Sequence, residues 1–347
     1  MHKILQAQFI KFHENIKLIN TEDNEILRNK RDMLVDEIKA YLKKKSEDEN
    51  SPLITFLVEN QGSYSMGTGI KPLSEQDYDI DVALLFNLSK DDYTALEVKR
   101  WVFEAIDKQF RTVEYKKPCV RVQYLKNGDS AFHVDLACYA NSNTDKKIYL
   151  SKGKPTSTGS DKKWEVSEPK ELKSKINGKY SDTYEKQQFK RAIRYLKRWK
   201  DYKIKNTVDG KPTGIAITAL AFDGFIPEVS KDNFTGDRIE NDLQATLSLV
   251  EYILNQFDIF NEISVDLPVP PYNDLFEKMK KNEKQTTRFK EKLKSLRDDL
   301  MKASNETDPV EACEILSRQF GDDFPIPPKE TTGQKRNIAV VGSTEQA

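Results

Sequence analysis

Cysteine is scarce in this chain of 347 residues: the three present, Cys119, Cys138 and Cys313, lie far apart and show no CxxC spacing. An odd, scattered set builds neither a disulfide framework nor a zinc site, and it fits a reducing cytosol. Net charge is missing as well, since 56 Lys+Arg offset 56 Asp+Glu. A protein that tracks a long polyanion needs a basic surplus to neutralise many phosphates, so the balance points away from long RNA or DNA as the main ligand. Long apolar runs are absent too. The longest, Gly214 to Ile226, is too short to cross a bilayer and contains Asp223. The opening MHKILQAQFIKF mixes charge with apolar positions and lacks the apolar core of a secretion signal. No segment repeats.

What is present is enough for a large core: 37% hydrophobic and 10% aromatic residues under a surface served by 32% charged ones. Ile26, Met33, Leu34, Ile38 and Leu42 recur at helical spacing and predict a long amphipathic helix over 24–45, preceded by a shorter one. Strands are expected at Leu53 to Val58 and Asp79 to Phe86, with a turn at Gly62-Ser63, a loop from Gly67 to Gln76, and a helix over Asp91 to Phe110. Val120 to Leu125 and Ala131 to Tyr139 form a hairpin pair about the turn Lys126 to Asp129.

The stretch Ser151 to Asp161, rich in Ser, Thr, Gly and Lys, reads as a linker beyond which strands vanish. Helices follow at Glu168–Lys175, Thr183–Lys205, Ile215–Phe225, Asp237–Phe257, Leu275–Ala303 with a break near Asn282, and Pro309–Phe320. The expected architecture is mixed α/β (α+β): a core with N-terminal helices over residues 1–160, a helical lobe over 161–324, a cleft between them, and a mobile tail over 325–347.

Chemistry concentrates on two strands. Asp79-Ile80-Asp81 opens an apolar strand, and residues two apart share a face roughly 7 Å apart along the chain. Ile80 and Val82 then face the core, and the two aspartates face the other way. In Phe132-His133-Val134-Asp135-Leu136, Asp135 lies on the face opposite Val134 and Leu136. If the strands are neighbours, about 4.8 Å apart, three carboxylates meet on one face. Such a set suits two Mg²⁺ ions that clamp an in-line phosphoryl transfer, and so selects for a triphosphate. An isolated DxD among 56 acidic residues arises easily by chance; the apolar strand and the upstream Gly62-Ser63 turn are what distinguish this one. A glycine lets backbone approach a phosphate closely, and a serine hydroxyl with nearby N–H groups binds its oxygens.

Together, GSYSMGTGIKPLSEQDYDIDVALLF and FHVDLACY resemble the core pattern of the polymerase-β-like nucleotidyltransferases: Gly-Ser, a spacer, Asp-x-Asp on a strand, then a later Asp. The match is closest to the bacterial cGAS/DncV-like nucleotidyltransferases (CD-NTases) of anti-phage (CBASS) signalling. RYLKRWKD and LPVPPYNDLF also look similar to that branch, and the likeness covers most of Pro52 to Phe320.

The resemblance implies that Gly62 and Ser63 hold triphosphate, and that Asp79 and Asp81 bind metal and substrate phosphates. It further implies that Asp135 completes the metal site and assists deprotonation of the attacking ribose hydroxyl, and that Lys197 steadies the terminal phosphates. On a helical wheel Phe189, Ile193 and Leu196 form the apolar stripe, Lys197 lies beside it, and Arg191, Arg194 and Arg198 read as surface charges. Without the resemblance, Lys197 reads equally well as a stem snorkelling over the core. His133 faces the side of Asp135, where it is a candidate ligand or base, with a hydrogen-bonded structural histidine as the plainer reading. Thr213 and Gly214 open a helix whose positive end faces a nucleotide, and Tyr64 and Tyr139 are aromatic candidates for stacking whose default is burial.

The implied reaction joins ATP and GTP, with Mg²⁺ or Mn²⁺, into a small cyclic nucleotide, a purine cyclic dinucleotide such as cGAMP, that activates a separate effector. Two other readings stay open: a template-independent transferase acting on RNA ends or a protein hydroxyl, and a catalytically silent nucleotide-binding module. For the tail ending KRNIAVVGSTEQA, the resemblance suggests conjugation at Ala347 by a ubiquitin-transfer-like partner, against the plainer reading of a disordered end.

Overall fold

The computed structural model describes residues 2–18, 22–73, 78–109, 111–126, 129–204 and 210–329. Two helices open the chain, α1 (His2–Ile16) and α2 (Glu22–Asp48). A sheet follows from β1 (Phe56–Asn60) and β2 (Tyr78–Phe86), with the one-turn helix α3 (Gly62–Ser65) between them. Next come α4 (Ala95–Ile106), β3 (Thr112–Tyr115), β4 (Val120–Lys126), β5 (Asp129–Ala140), β6 (Tyr149–Lys152) and β7 (Lys163–Val166). The remainder is α5 (Pro169–Gly178), α6 (Thr183–Lys203), α7 (Gly214–Gly224), a small hairpin β8 (Val229–Lys231) and β9 (Arg238–Glu240), then α8 (Asp242–Asn255), α9 (Glu277–Lys280), α10 (Glu283–Asn305) and α11 (Pro309–Phe320).

Period-2 alternation builds the sheet. It runs β1-β2-β5-β4-β3, with β2 and β5 parallel and the other pairs antiparallel; β6 pairs the end of β5, and β7 pairs β6. One face carries Val82, Leu84, Phe86, Val122, Val134 and Leu136 into a core closed by Leu34 and Ile38 of α2 and Val98 and Val102 of α4. The helix α4 starts where Thr94 and Glu97 form a reciprocal capping box, three residues after the start expected at Asp91. Strands do not vanish beyond residue 161: β7 pairs β6 through Leu150↔Glu165, and β8 pairs β9. A four-residue edge strand such as Lys-Trp-Glu-Val carries too little pattern to be seen locally. Likewise Arg238 to Asn241, expected as helix, is strand and cap, because Asn241 caps α8 by accepting from the Gln244 N–H.

The helical core forms around α6. Asp182 caps this helix by accepting from Tyr184 and Glu185 N–H groups, and Phe189, Ile193, Tyr195, Leu196 and Trp199 are buried. The first helix joins this core: Phe9 and Phe12 pack against Tyr195, with ring centroids 5.2 Å apart in both cases. Because helices and loops surround α6, its charges are inside rather than on the surface where the sequence put them. Arg191 donates from Nε to Asp242 Oδ2 at 2.6 Å and from Nη2 to Glu240 Oε1 at 2.5 Å; Tyr195 Oη donates to Asp242 at 2.8 Å. Asp242 is 1% exposed and its carboxyl is held below the ordinary range by Arg191, against the opposing effect of burial. Asp242→Ala leaves the Arg191 cation buried with a reduced set of partners, and a loss of about 3–5 kcal/mol in urea unfolding is expected; a change under about 1 kcal/mol would show the network to be dispensable.

The tail expected from Pro325 lies outside the described residues from 330 onward, as do residues 74–76 of the expected loop, Phe110 and Lys205 at the ends of two expected helices, and residues 127–128 of the hairpin turn. Among the described residues no helix is long and apolar enough to cross a membrane.

Candidate active site

The parallel pairing of β2 with β5 sets Asp81 beside Asp135 and Asp79 beside His133. Register partners point to one face. That face continues as Ala83, Leu85, Ala137 and Tyr139, which form a small cluster with Cys119 and Leu150. Two of the three aspartates singled out in the sequence are therefore strand neighbours by direct register. The backbone of Asp79 stands two residues before Asp81 on the same strand, and its side chain falls outside those described.

The Gly62-Ser63 segment is the first turn of α3 rather than a plain turn, and it is locked onto the same strand. Gln61 N–H donates to the Asp81 carbonyl at 3.0 Å. Gly62 adopts φ +69°, and a Cβ built on it would lie 1.9 Å from Asp81 Oδ2. Backbone and carboxylate thus occupy the space a side chain would need, which is why the position requires glycine. Ser63 accepts at its carbonyl from Thr68 N–H at 2.9 Å, closing the loop that leads to Gly69.

Helix α6 grips that loop from the other side. Lys197 Nζ donates to Thr68 O and Oγ1, both at 3.1 Å; Arg194 donates to the Gly67 and Gly69 carbonyls at 2.6 and 3.0 Å; Arg198 donates to the Lys71 carbonyl at 2.9 Å and pairs with Asp323. Residues 194, 197 and 198 share one stripe of a helix, and backbone carbonyls satisfy cations there without adding negative charge. Burial, with the nearby Lys200 and Arg194 cations, lowers Lys197 to about 7.

Between these elements lies a cleft of about 710 Å³, lined by Gly62, Ser63, Asp81, His133, Lys197 and Thr213 among others. Thr213 caps α7 by accepting from Ala216 N–H, and Gly214 sits with its Cα against Lys197, where a Cβ would meet Cε at 3.5 Å. Of the aromatic candidates, Tyr139 is 3% exposed and donates its hydroxyl to Gln61 Oε1 at 2.8 Å, so it buttresses the loop instead of offering a face. Tyr64 lines a separate, smaller cavity.

Sequence reasoning missed three groups. Gln61 follows from the Tyr139 bond only once the sheet is folded. Lys200 and Lys211 both bind Asp201, at 2.6 and 2.9 Å, and of the three Lys200 and Asp201 line the cleft. Arg121 on β4 donates from Nε and Nη2 to the two oxygens of Asp135, each at 2.7 Å, and its Nη1 lies 3.3 Å from His133 Nε2. The signal for Arg121 was its place in the hairpin opposite Asp135.

Among the described residues no three His, Cys, Asp or Glu side chains gather as a metal site. What they offer is the in-register pair Asp81 and Asp135, an all-oxygen donor set of the kind Mg²⁺ takes together with waters or phosphate oxygens. The chemistry of the donors fits that ion, with Arg121 standing on one of the two carboxylates.

Residues 57–139 match the family described as "Cyclic GMP-AMP synthase DncV-like, nucleotidyltransferase domain". A curated cyclic GMP-AMP synthase from Escherichia albertii is 27% identical over 260 residues, 72% of this chain and 55% of that protein, so the chain aligns with about half the length of this relative. The crystal structure of the Vibrio cholerae DncV cyclic AMP-GMP synthase superposes with a TM-score of 0.69 over 90% of this chain and 93% of that one, at 16% identity. The same enzyme in complex with the linear intermediate pppA(3′,5′)pG gives 0.68, also over 90% and 93% of the two chains, at 16% identity. At such identities the superpositions establish the fold.

Proposed function

From the premise that this chain belongs to the bacterial cGAS/DncV-like nucleotidyltransferases, we propose that it makes a cyclic oligonucleotide second messenger from nucleoside triphosphates. The product class we favour is a purine cyclic dinucleotide of the cGAMP type, made from ATP and GTP, acting on a separate effector in anti-phage defence. The observation that carries this reading is the place of Asp81 beside the Gly62 loop, on the wall of a cleft large enough for nucleotides, with Asp135 as its register partner on the next strand.

In this reading Gly62, Ser63 and the Thr68 loop cradle the triphosphate, and Asp79, Asp81 and Asp135 hold Mg²⁺ or Mn²⁺. The bound ions supply charge neutralisation for phosphates and for the attacking and leaving oxygens. The protein's own share is positioning: a ribose hydroxyl of one nucleotide is held in line with the α-phosphate of another, and pyrophosphate leaves. A second such attack within the linear intermediate closes the ring. Asp135, on the strand wall beside Asp81, is the group we assign to the hydroxyl proton.

Lys197 supplies a graded cation for the terminal phosphates. A lysine at about 7 is charged below neutrality and largely neutral above it. Only the charged form attracts the polyanion, so triphosphate affinity should fall as pH rises through 7, by up to about tenfold per unit. Calorimetric titration with a non-hydrolysable triphosphate between pH 6 and 8.5 checks this, and Lys197→Met should flatten the profile. An unchanged profile in that variant would place the titration elsewhere.

The function itself is tested by incubating the protein with all four labelled ribonucleoside triphosphates and no acceptor, with mass spectrometry of the products. A cyclic product from triphosphates alone supports the reading; transfer only when RNA or a protein is added would replace it with terminal transfer.

A further inference from the structure

Asp135 is a carboxylate already in use. Both its oxygens accept from one guanidinium, Oδ1 from Arg121 Nε and Oδ2 from Nη2, each at 2.7 Å. This fork-on-fork arrangement is among the stronger side-chain pairings available. The two residues are register partners across the antiparallel β4–β5 pair, so the sheet backbone holds them together. On the other side of Asp135, also in register, stands Asp81. Three side chains from three adjacent strands thus form the row Asp81, Asp135, Arg121. Asp135 is 8% exposed, and desolvating a carboxylate without a cation is costly. A divalent ion that uses Asp135 must bind an oxygen that Arg121 already bonds and whose charge it already offsets. Two cations therefore compete for one carboxylate.

We propose that Arg121 is the exchangeable counter-ion of Asp135, holding the carboxylate in place before a divalent ion binds and yielding it when ion and triphosphate arrive together. The inference rests on the reading of Asp81 and Asp135 as metal-binding residues. An ion alone gains only protein carboxylates and must break a bidentate pair to do so. A triphosphate brings further oxygen ligands and negative charge, so the ion–nucleotide pair displaces the guanidinium where the bare ion does not. About a quarter of the Arg121 side chain, 26%, reaches solvent, which gives it somewhere to go. Arg121 is on this account a positioning residue, and its effect is an order of binding: metal enters with nucleotide.

The test follows Mn²⁺ binding without nucleotide, through loss of the free-ion electron paramagnetic resonance signal. Removing the competing charge in Arg121→Gln should tighten Mn²⁺ binding by at least about tenfold, the equivalent of one charge-assisted bond. Arg121→Lys, a cation without the fork, should fall between the two and carries the experiment should the glutamine variant fail to fold. With a saturating non-hydrolysable triphosphate present, wild type and variants should converge. Equal Mn²⁺ affinity in wild type and both variants, with binding still weakened by Asp81→Asn, overturns the counter-ion role and leaves the site reading standing. Mn²⁺ binding that ignores Asp81→Asn in every background overturns the site reading and the inference with it.

Discussion

Replacing Asp81 by Asn is expected to reduce pyrophosphate release from triphosphates by two to three orders of magnitude or more, roughly the cost of losing a preorganised charge at a reacting phosphate. The fold should survive. The amide keeps the shape of the carboxylate, and the bond the strand makes to the Gly62 loop uses the Asp81 main-chain carbonyl, which accepts from Gln61 N–H at 3.0 Å. Removing one of two neighbouring like charges even relieves repulsion with Asp135, its register partner. The melting temperature should therefore hold within a couple of degrees or rise, while activity collapses. Asp135→Asn is a poorer probe, because it also strands Arg121, whose guanidinium spends two 2.7 Å bonds on that carboxylate. Near-wild-type turnover in Asp81→Asn would remove the site from this strand.

Gly62→Ala should be nearly as damaging from the opposite direction, by adding one carbon and no charge. At φ +69° an alanine pays for a left-handed backbone, about 1–2 kcal/mol. The larger effect is positional: the new Cβ would sit 1.9 Å from Asp81 Oδ2 and 2.8 Å from its Cγ, so either the carboxylate swings away or α3 lifts off the strand. A displacement of about 1 Å at reacting groups costs on the order of a hundredfold in rate. The expected signature is a large fall in kcat with a modest fall in melting temperature. Gly159→Ala, where nothing lies within 4 Å of the added carbon, should change neither and serves as the control. A Gly62→Ala enzyme with wild-type kcat would mean that Asp81 tolerates movement and is not positioned by this loop.

The two expectations succeed or fail on different links. The first tests the charge on Asp81; the second tests the contact by which the loop fixes where that charge stands. Loss of activity in both, with Lys197→Met shifting affinity more than turnover, would separate chemistry on the sheet from phosphate binding on α6.

Much of this arrangement was legible in one dimension. Alternation along Asp79 to Phe86 and Phe132 to Tyr139 assigned each residue to a face, because strand geometry alternates strictly and burial enforces it. The helix Pro309–Phe320 came out with the expected bounds, since Asp308 before Pro309 caps it and Gly321 after Phe320 ends it. The break expected near Asn282 falls between α9 and α10, although the Asn282 side chain makes no capping bond there.

What remained hidden was everything that depends on neighbours distant in the chain. That β2 lies parallel and in register with β5, and not merely in the same sheet, is fixed by packing across 54 residues, the separation of Asp81 from Asp135. The charges of α6 illustrate the point most sharply: Arg191, Arg194 and Arg198 have the composition of a solvated face, yet the carbonyls of Gly67, Gly69 and Lys71 and the carboxylates of Glu240, Asp242 and Asp323 surround them. Polarity alone cannot tell a cation facing water from one facing carbonyls, since both satisfy the charge. The same holds for Arg121, whose partner is named only by the register of a hairpin. The sequence by itself determined which side chains share a face and that they are acidic; tertiary structure decided which of them meet and which cation stands among them, because pairing partners are chosen by long-range packing and loop closure rather than by local period.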